Sequence, residues 1–439
     1  MISRIKKNVR QSFFSVRSFV RTQPLSVNYG IDGILVAGAL GIAVNNNNLF
    51  AQRLGADDFQ LSLLQLVPSL LTLFLLIPAG LFADSLRNKR LMMSIMLIVS
   101  GIFYAVVSTS AFVPVHAVYF FVFALAIASV AVNGMYNLSW QSFFPEAVED
   151  GRRNFVLTFR ARMTMIVQLI APLAVGAILT AISSNSGKIA AHQLFYILAA
   201  VMLITNAFHI RKIKAVKPNE PKRISFAEMK TAAKRLAGNK KFIIFALVIL
   251  FFHATWQIDW TLYFIGQANY MQMNELLLSF APVGSMVAQL ITLKFWSKLN
   301  TKRGVEFTLT FGIFGLTINT IAMMVGVSLP APFGIIVFLT LHFIAMLTFA
   351  NITLSLFQCL LKVVDEEYRS FSISIYTCLI TLSNAVMPMI GVLMYRGFGG
   401  DLNGFRYAFM VVFSLRIVAG LLWMLRNKYA KRTENSNSV

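Results

Sequence analysis

Apolar runs long enough to cross a hydrocarbon layer recur about twelve times along the chain, and no other feature restricts its fold so tightly. Stretches such as LLQLVPSLLTLFLLIPAGLFA (63–83) and FIIFALVILFFHATW (242–256) approach or exceed the roughly 20 residues that cross ~30 Å of hydrocarbon as a helix. Lipid offers backbone groups no partners, so uniform apolar segments of this length must be helices. The alternating pattern of a membrane barrel is absent. A chain that is 57% apolar and 13% charged lacks the polar surface a soluble protein of this size needs. The reading is an all-α integral membrane protein in a lipid bilayer.

Scanning for such runs predicts spans at roughly 31–53, 61–83, 90–110, 115–140, 156–182, 193–210, 242–264, 275–296, 305–328, 333–358, 371–395 and 407–426. The loops are short except 211–241, which holds eleven Lys/Arg against two Glu. That basic linker separates an N-terminal six-helix half (1–210) from a C-terminal six-helix half (242–439). Within it, Ser225 to Leu236 is expected to form a short amphipathic helix on the membrane surface.

A net charge of +22 raises the question of a nucleic-acid partner, and the distribution of charge answers it. Of the 39 Lys and Arg, 34 fall on the side that holds both termini and the linker, and four fall on the other: Arg53, Lys188, Arg396 and Arg406. Arg416 alone lies within a span. Such asymmetry is the positive-inside pattern, so the basic pI needs no polyanion, and both termini are expected in the cytoplasm of a cell whose inner (cytoplasmic) membrane holds the protein.

Cys359 and Cys378 cannot make a disulfide framework and read as packing residues. No metal-ligand spacing, P-loop or nucleophile elbow occurs, so neither an enzyme nor a cofactor or metal is expected. Any transport must then draw on an ion gradient or run downhill.

The chain echoes itself. FADSLRNKR (82–90) and FWSKLNTKR (295–303) share Phe, Leu, Lys and Arg at a spacing of 295 − 82 = 213. NLSWQSFFPEAVEDGRRNF (137–155) aligns with TLSLFQCLLKVVDEEYRSF (353–371) at 216, a spacing that also pairs Pro172 with Pro388. Two six-helix halves with related hairpins on the cytoplasmic face follow.

GLFADSLRNKRLMM (80–93), between the second and third spans, resembles the major facilitator superfamily (MFS) signature G-x-L-A-D-R-x-G-R-K-x-x-L. Gly80, Ala83, Asp84 and Lys89 fall on the pattern, while Arg87 replaces the central Gly and Ser85 the Arg. The resemblance implies the MFS fold, twelve transmembrane helices in two pseudo-symmetric halves. It also implies gating by the cytoplasmic hairpins, here Gly80, Asp84, Arg87, Lys89, Arg90 and Arg153, with Lys302, Arg303 and Arg369 in the second half. APLAVG (171–176) is similar to the Gly-Pro-x-x-Gly-Gly run of drug antiporters, with the first Gly lost. A proline kink beside a glycine that admits close helix approach reads the same residues equally well.

Polar residues inside spans cost on the order of 2–3 kcal/mol each unless they face a cavity or a partner. In NNNN (45–48), Asn45 and Asn48 share a face and are expected to see the cavity. In the seventh span, FFHATWQIDW places His253, Trp256, Gln257 and Asp259, and 46 + 213 = 259 pairs Asp259 with Asn46. The resemblance makes the first, fourth, seventh and tenth spans cavity-lining. Asp259 reads as the one carboxylate well inside a predicted span, either a proton-coupling group or half of a static ion pair. His342 and His253 are further proton candidates, and Asn133, Asn137 and Gln141 form a stripe expected to face the cavity.

The function expected is secondary active transport of a small-molecule solute by a monomer, coupled to protons. Efflux of an amphipathic compound by antiport is placed first and uptake of a small polar solute, such as a sugar or nucleoside, second. A non-transporting receptor or lipid-handling protein is the other class. Single cysteines at Ser184 and Gln272 should react with an impermeant maleimide on intact cells, and one at Thr231 only after permeabilisation. Labelling of Thr231 in intact cells would overturn the orientation.

Overall fold

The computed structural model describes residues 23–85, 88–113, 115–214, 226–364 and 369–436. No strand forms among them. Twelve helices are long and apolar enough to cross a membrane. Before the linker they are α1 (Pro24–Arg53), α2 (Asp58–Ser85), α3 (Lys89–Phe112), α4 (Ala117–Gln141), α5 (Asp150–Ala181) and α6 (Asn185–Ile210). After it come α7 (Lys240–Tyr270), α8 (Glu275–Arg303), α9 (Val305–Gly326), α10 (Phe333–Leu361), α11 (Arg369–Gly397) and α12 (Leu402–Ser436). Twelve crossings bring both ends of the described chain to the side that carries the linker, here the linker end; the opposite side is the far end. The linker's own helix runs Phe226–Gly238 and buries Ala232 and Leu236.

Local chemistry sets the helix starts. Asn88, Ser184, Asn239 and Asn274 each accept a hydrogen bond from the backbone N–H three residues on, capping α3, α6, α7 and α8. Pro24, whose fixed φ suits a first turn, opens α1 well before the predicted 31. That early start carries Asp32 into the bundle, fully buried. Asp259 is therefore not the lone embedded carboxylate that the sequence suggests.

Two spans are broken, and at related places. The α-helical course of α1 stops at Ala43, passes through a 3-10 turn at Val44–Asn46 and resumes at Asn47. There the Asn46 side chain donates to the Ile42 carbonyl at 3.1 Å, competing with the helix ladder. α7 stops at Gln257 and resumes at Trp260. The residues that head the second segments, Asn46 (φ −112°, ψ 7°) and Asp259 (φ −97°, ψ 6°), share one sparsely populated conformation. They are also 213 apart, so the internal repeat is structural.

Small residues set the helix spacing inside each half. A Cβ at Gly33 would meet Thr164 Oγ1 at 2.8 Å and Arg160 Cγ at 3.0 Å, so α1 and α5 touch closely there. The N-terminal core gathers Tyr29, Phe50, Tyr104, Phe121 and Tyr196, and the C-terminal half holds two clusters, around Phe245 and Trp423 and around Phe405 and Phe409. Outside, Phe74, Phe112, Leu247 and Ile291 are exposed, as a lipid-facing surface requires. The halves meet along α2 with α11 and α5 with α8.

A Cβ at Gly391 of α11 would collide with the Ile258 carbonyl at the break in α7, while nothing lies within 4 Å at Gly397. Overpacking typically costs about 1–3 kcal/mol. Gly391→Ala should therefore lower the melting temperature of the purified protein by several degrees and Gly397→Ala should leave it unchanged. Equal melting temperatures would show that the break in α7 yields freely.

Candidate functional site

The two helix breaks face a common space. Val44, Asn47 and Asn48 beside the break in α1, Leu61, Leu64 and Gln65 of α2, and Trp260 and Thr261 just after the break in α7 enclose a cavity of about 260 Å³ between the halves. Asn47 is oriented by the Tyr196 hydroxyl, which donates to its Oδ1 at 2.6 Å. Asn48 is among the residues lining this cavity, and the side chain of Asn45 is outside the described residues. Trp256 stands behind the wall, its ring 5.7 Å from that of Trp260 and 5.1 Å from Phe349. Gln257 and His253 are buried together, Nε2 to Nδ1 at 3.4 Å, and the other imidazole nitrogen lies 3.5 Å from the Tyr376 hydroxyl.

Asp259 turns away from that space. Both its oxygens accept from Arg416 Nη2, at 2.9 and 2.8 Å, and the same guanidinium donates to the carbonyls of Thr255, Trp256 and Leu316. Each residue is 1% exposed. Arg416 thus fastens α12 across the break in α7, using carbonyls that a broken helix leaves accessible. His342 is also fully engaged. One ring nitrogen meets Asn319 Oδ1 at 2.7 Å and the other Ser285 Oγ at 2.8 Å, joining α8, α9 and α10. In α4, a π turn at Val130–Tyr136 separates Asn133 from Asn137 and Gln141 and shifts it around the helix. The straight stripe predicted from a four-residue spacing is broken there, with Asn133 and Gln141 exposed and Asn137 half-buried.

A second buried ion pair was not foreseen. Asp32 of α1 accepts from Arg160 Nε of α5 at 3.0 Å, from Asn206 Nδ2 of α6 at 2.8 Å and from the Tyr136 hydroxyl of α4 at 2.5 Å. Arg160 also lies over the Trp140 ring, 4.3 Å from its centroid.

Polar contacts that cross from one half to the other gather at the far end. Glu275, at the start of α8, is paired with both Arg53 and Lys188. Thr180 Oγ1 receives the Leu276 N–H at 3.0 Å, and Gln52 Nε2 donates to Asn269 Oδ1 at 2.8 Å. Arg396 reaches Asp57 at 3.4 Å. Beneath this latch a Cβ at Gly176 would lie 2.5 Å from Ser279 Oγ, so the glycine of APLAVG is a contact point between α5 and α8. Three of the four far-side cations left over by the charge asymmetry are latch residues, and the fourth, Arg406, donates to Ser328 Oγ.

A sequence model of the Major Facilitator Superfamily matches residues 31–364. The chain belongs to the major facilitator superfamily. Among solved structures its fold is similar to that of the nucleoside transporter NupG (TM-score 0.71, 12% identity, 92% of this chain and 99% of that one). It is also similar to a bacterial homologue of the iron transporter ferroportin in an inward-facing state (0.71, 14%, 92% and 98%) and to a peptide transporter, POT (0.70, 14%, 93% and 95%). A search of curated protein sequences returned no match.

For an MFS chain the linker-end hairpins are the expected second gate. Arg87 and the side chains of Gly80's neighbours through Asp84, like that of Arg369, lie outside the described residues. Lys89 is buried against Glu146, in the helical continuation of α4 to Ala147, within its own half. Arg90 donates to the Ile213 carbonyl, and Arg153 to the carbonyls of Val148 and Pro145. In the second half Lys302 and Arg303 are exposed, and the corresponding clasp is Lys362 with Glu306 at 2.7 Å. Since 362 − 146 = 216, the repeat puts a cation where the first half has an acid. The clasp is kept and its polarity reversed.

The latch generates a prediction. Glu275→Gln removes the charge that holds two cations across the halves, and charged hydrogen bonds contribute about 1.5–3 kcal/mol. With Cys359 and Cys378 replaced by Ser, a single cysteine at buried Ser279 should then react with maleimide roughly ten- to one-hundred-fold faster than with Glu275 intact. An unchanged rate would remove Glu275 from the closure of the far end.

Proposed function

We propose that this MFS protein is a secondary active transporter that carries a small polar solute by alternating access, coupled to protons. The observation that carries the reading is the cavity between the two repeat-related helix breaks, sealed on one side by a latch joining the halves. Broken helices near the middle of a bundle free backbone groups for a ligand, and two related breaks place the ligand on the pseudo-symmetry axis. Asn47, Asn48, Gln65 and Thr261, half of the lining, offer amide and hydroxyl groups, with Trp260 as an apolar wall. Asn45, Trp256, Gln257 and the α4 amides Asn133, Asn137 and Gln141 extend the solute path in this reading.

Gly176, the residue that suggested efflux of an amphipathic compound by antiport, makes a far-end contact that any closure needs, and so favours neither direction. Uptake of a small polar solute fits the lining better. NupG and POT are transporters of nucleosides and peptides, solutes of that general size and polarity. In this reading the positive-inside pattern argues for a linker end in the cytoplasm of a cell-membrane protein, with the latched far end outside. Both breaks belong to one chain, so a monomer suffices. Of the proton candidates, Asp259 is poorly placed: a proton there would strand Arg416, which has no route to water. His342 and His253 belong to no ion pair and are kept as the proton candidates. Gly80, Asp84, Arg87, Lys89, Arg90, Arg153, Lys302, Arg303 and Arg369 are proposed to shape the closure at the linker end.

A cysteine pair at Gly176 and Ser279 lies within disulfide reach. In a background with Ser at 359 and 378, oxidation of that pair in proteoliposomes should stop solute counterflow by more than tenfold, and a reductant should restore it. Counterflow of a metabolite pool that persists through the cross-link would sink alternating access.

A further inference from the structure

Several polar atoms in the cluster around Asp32 are left without a partner. Tyr29 Oη, Trp140 Nε1 and Thr164 Oγ1 are buried with no hydrogen-bond partner, as is Asn206 Oδ1. All belong to one neighbourhood. The Tyr29 and Trp140 rings are 5.9 Å apart, Trp140 lies under the Arg160 guanidinium, and Thr164 meets α1 at Gly33 beside Arg160. Three groups able to donate, set beside a guanidinium and against one unused amide oxygen, leave the site with a surplus of N–H and O–H groups. Such a site is complementary to an oxygen-rich anion. Asp32 supplies part of what is missing, by accepting from three side chains.

The buried arginine–carboxylate pairs of Asp32 and Asp259 differ in access. The Arg416 side chain is 2% exposed and spends its remaining donors on three carbonyls, whereas that of Arg160 is 22% exposed while Asp32 is wholly covered. The cation of the Asp32 pair is therefore the more open of the two arginines. The site lies toward the linker end, twelve residues or about 18 Å along α1 from Val44 at the cavity.

We propose that Arg160, seated on Trp140, binds the anionic group of an organic solute on its way to the central cavity, and that Asp32 is the internal carboxylate that the solute displaces. This rests on the transport reading above. The exchange conserves charge. A proton moves onto an Asp32 oxygen, the guanidinium exchanges that carboxyl for the solute's anionic oxygens, and the cluster holds one cation and one anion before and after. A buried site that must stay neutral thus takes up one proton with each anion. The titratable and charged side chains facing Asp32 are Tyr29 on its own helix, Tyr136 on α4, Arg160 on α5 and, on α6 beyond Asn206, His209, which is bound to the Asn28 carbonyl. None of them is a second carboxylate.

The test uses purified full-length protein with benzoate, L-lactate, succinate and inorganic phosphate as probes and uridine and choline as neutral and cationic controls. Binding is read by thermal shift, by Trp fluorescence and by proton uptake in weak buffer. For at least one anion the wild-type affinity should tighten by up to about tenfold per unit fall in pH, with about one proton taken up per anion bound. Asp32→Asn should bind that anion equally at every pH and take up no proton. Arg160→Gln should weaken binding at least tenfold, and Trp140→Phe should keep the pH slope while losing the fluorescence response. If Asp32→Asn does not fold, Arg160→Lys serves, with weaker binding at the wild-type pH slope. Failure of every anion to bind, equal shifts by uridine or choline, a flat pH dependence or indifference to Arg160→Gln would each overturn the proposal. Anion binding of the expected pattern without flux of any solute in liposomes would instead sink the transport reading and leave the anion site standing. Flux that ignores Arg160→Gln would do the reverse.

Discussion

Hydrocarbon solvates neither a peptide group nor a charge, and nearly every feature of this bundle answers that constraint. It forces the spans to be helices and decides where a helix can afford to break. The breaks at Asn46 and Asp259 are tolerated because one lies beside an interior cavity and the other is covered by the Arg416 guanidinium, which takes up three carbonyls around it. The same constraint explains why the buried carboxylates Asp32 and Asp259 each hold an arginine. A charge left alone at that depth would cost several kcal/mol.

Duplication preserved geometry more faithfully than chemistry. Asn46 and Asp259 have nearly the same backbone conformation at equivalent positions, yet one closes onto its own helix through the Ile42 carbonyl and the other recruits a residue 157 positions away. The clasps at the linker end show the same drift, since Lys89 with Glu146 and Glu306 with Lys362 join corresponding helices with opposite polarity. What selection can hold constant in such a pair is the contact between helices. The sign of each partner is free to change as long as both change.

Features encoded locally were legible in the sequence: the twelve apolar runs became twelve long helices, and the repeat spacing recurs in the two helix breaks. Pairing between distant helices was not. Asp32 escaped because the apolar pattern alone starts the first span at 31, whereas Pro24 and its fixed φ start the helix earlier and carry the acid inside. Its partners lie 104, 128 and 174 residues away, with no periodic signal to connect them. The far-side cations do carry a signal in the sequence. Arg53, Lys188 and Arg396 stand out against a strongly asymmetric background, and a charge kept on the side where the pattern disfavours it calls for a partner, here Glu275 and Asp57.

The two halves thus divide the uses of a buried ion pair. In the second half the arginine is closed in on all sides, and its bonds to Asp259 and three carbonyls make the pair a rivet for α7, α9 and α12. In the first half the carboxylate is closed in but its arginine is not, and unpaired donors surround it. A rivet gains from having every donor satisfied, because each unmet group weakens it. A site that must release and rebind a ligand cannot be saturated by its own residues, since a fully satisfied guanidinium would have nothing to offer. The unmet donors around Arg160 are therefore what distinguishes the pair that can exchange partners from the pair that only holds the bundle together.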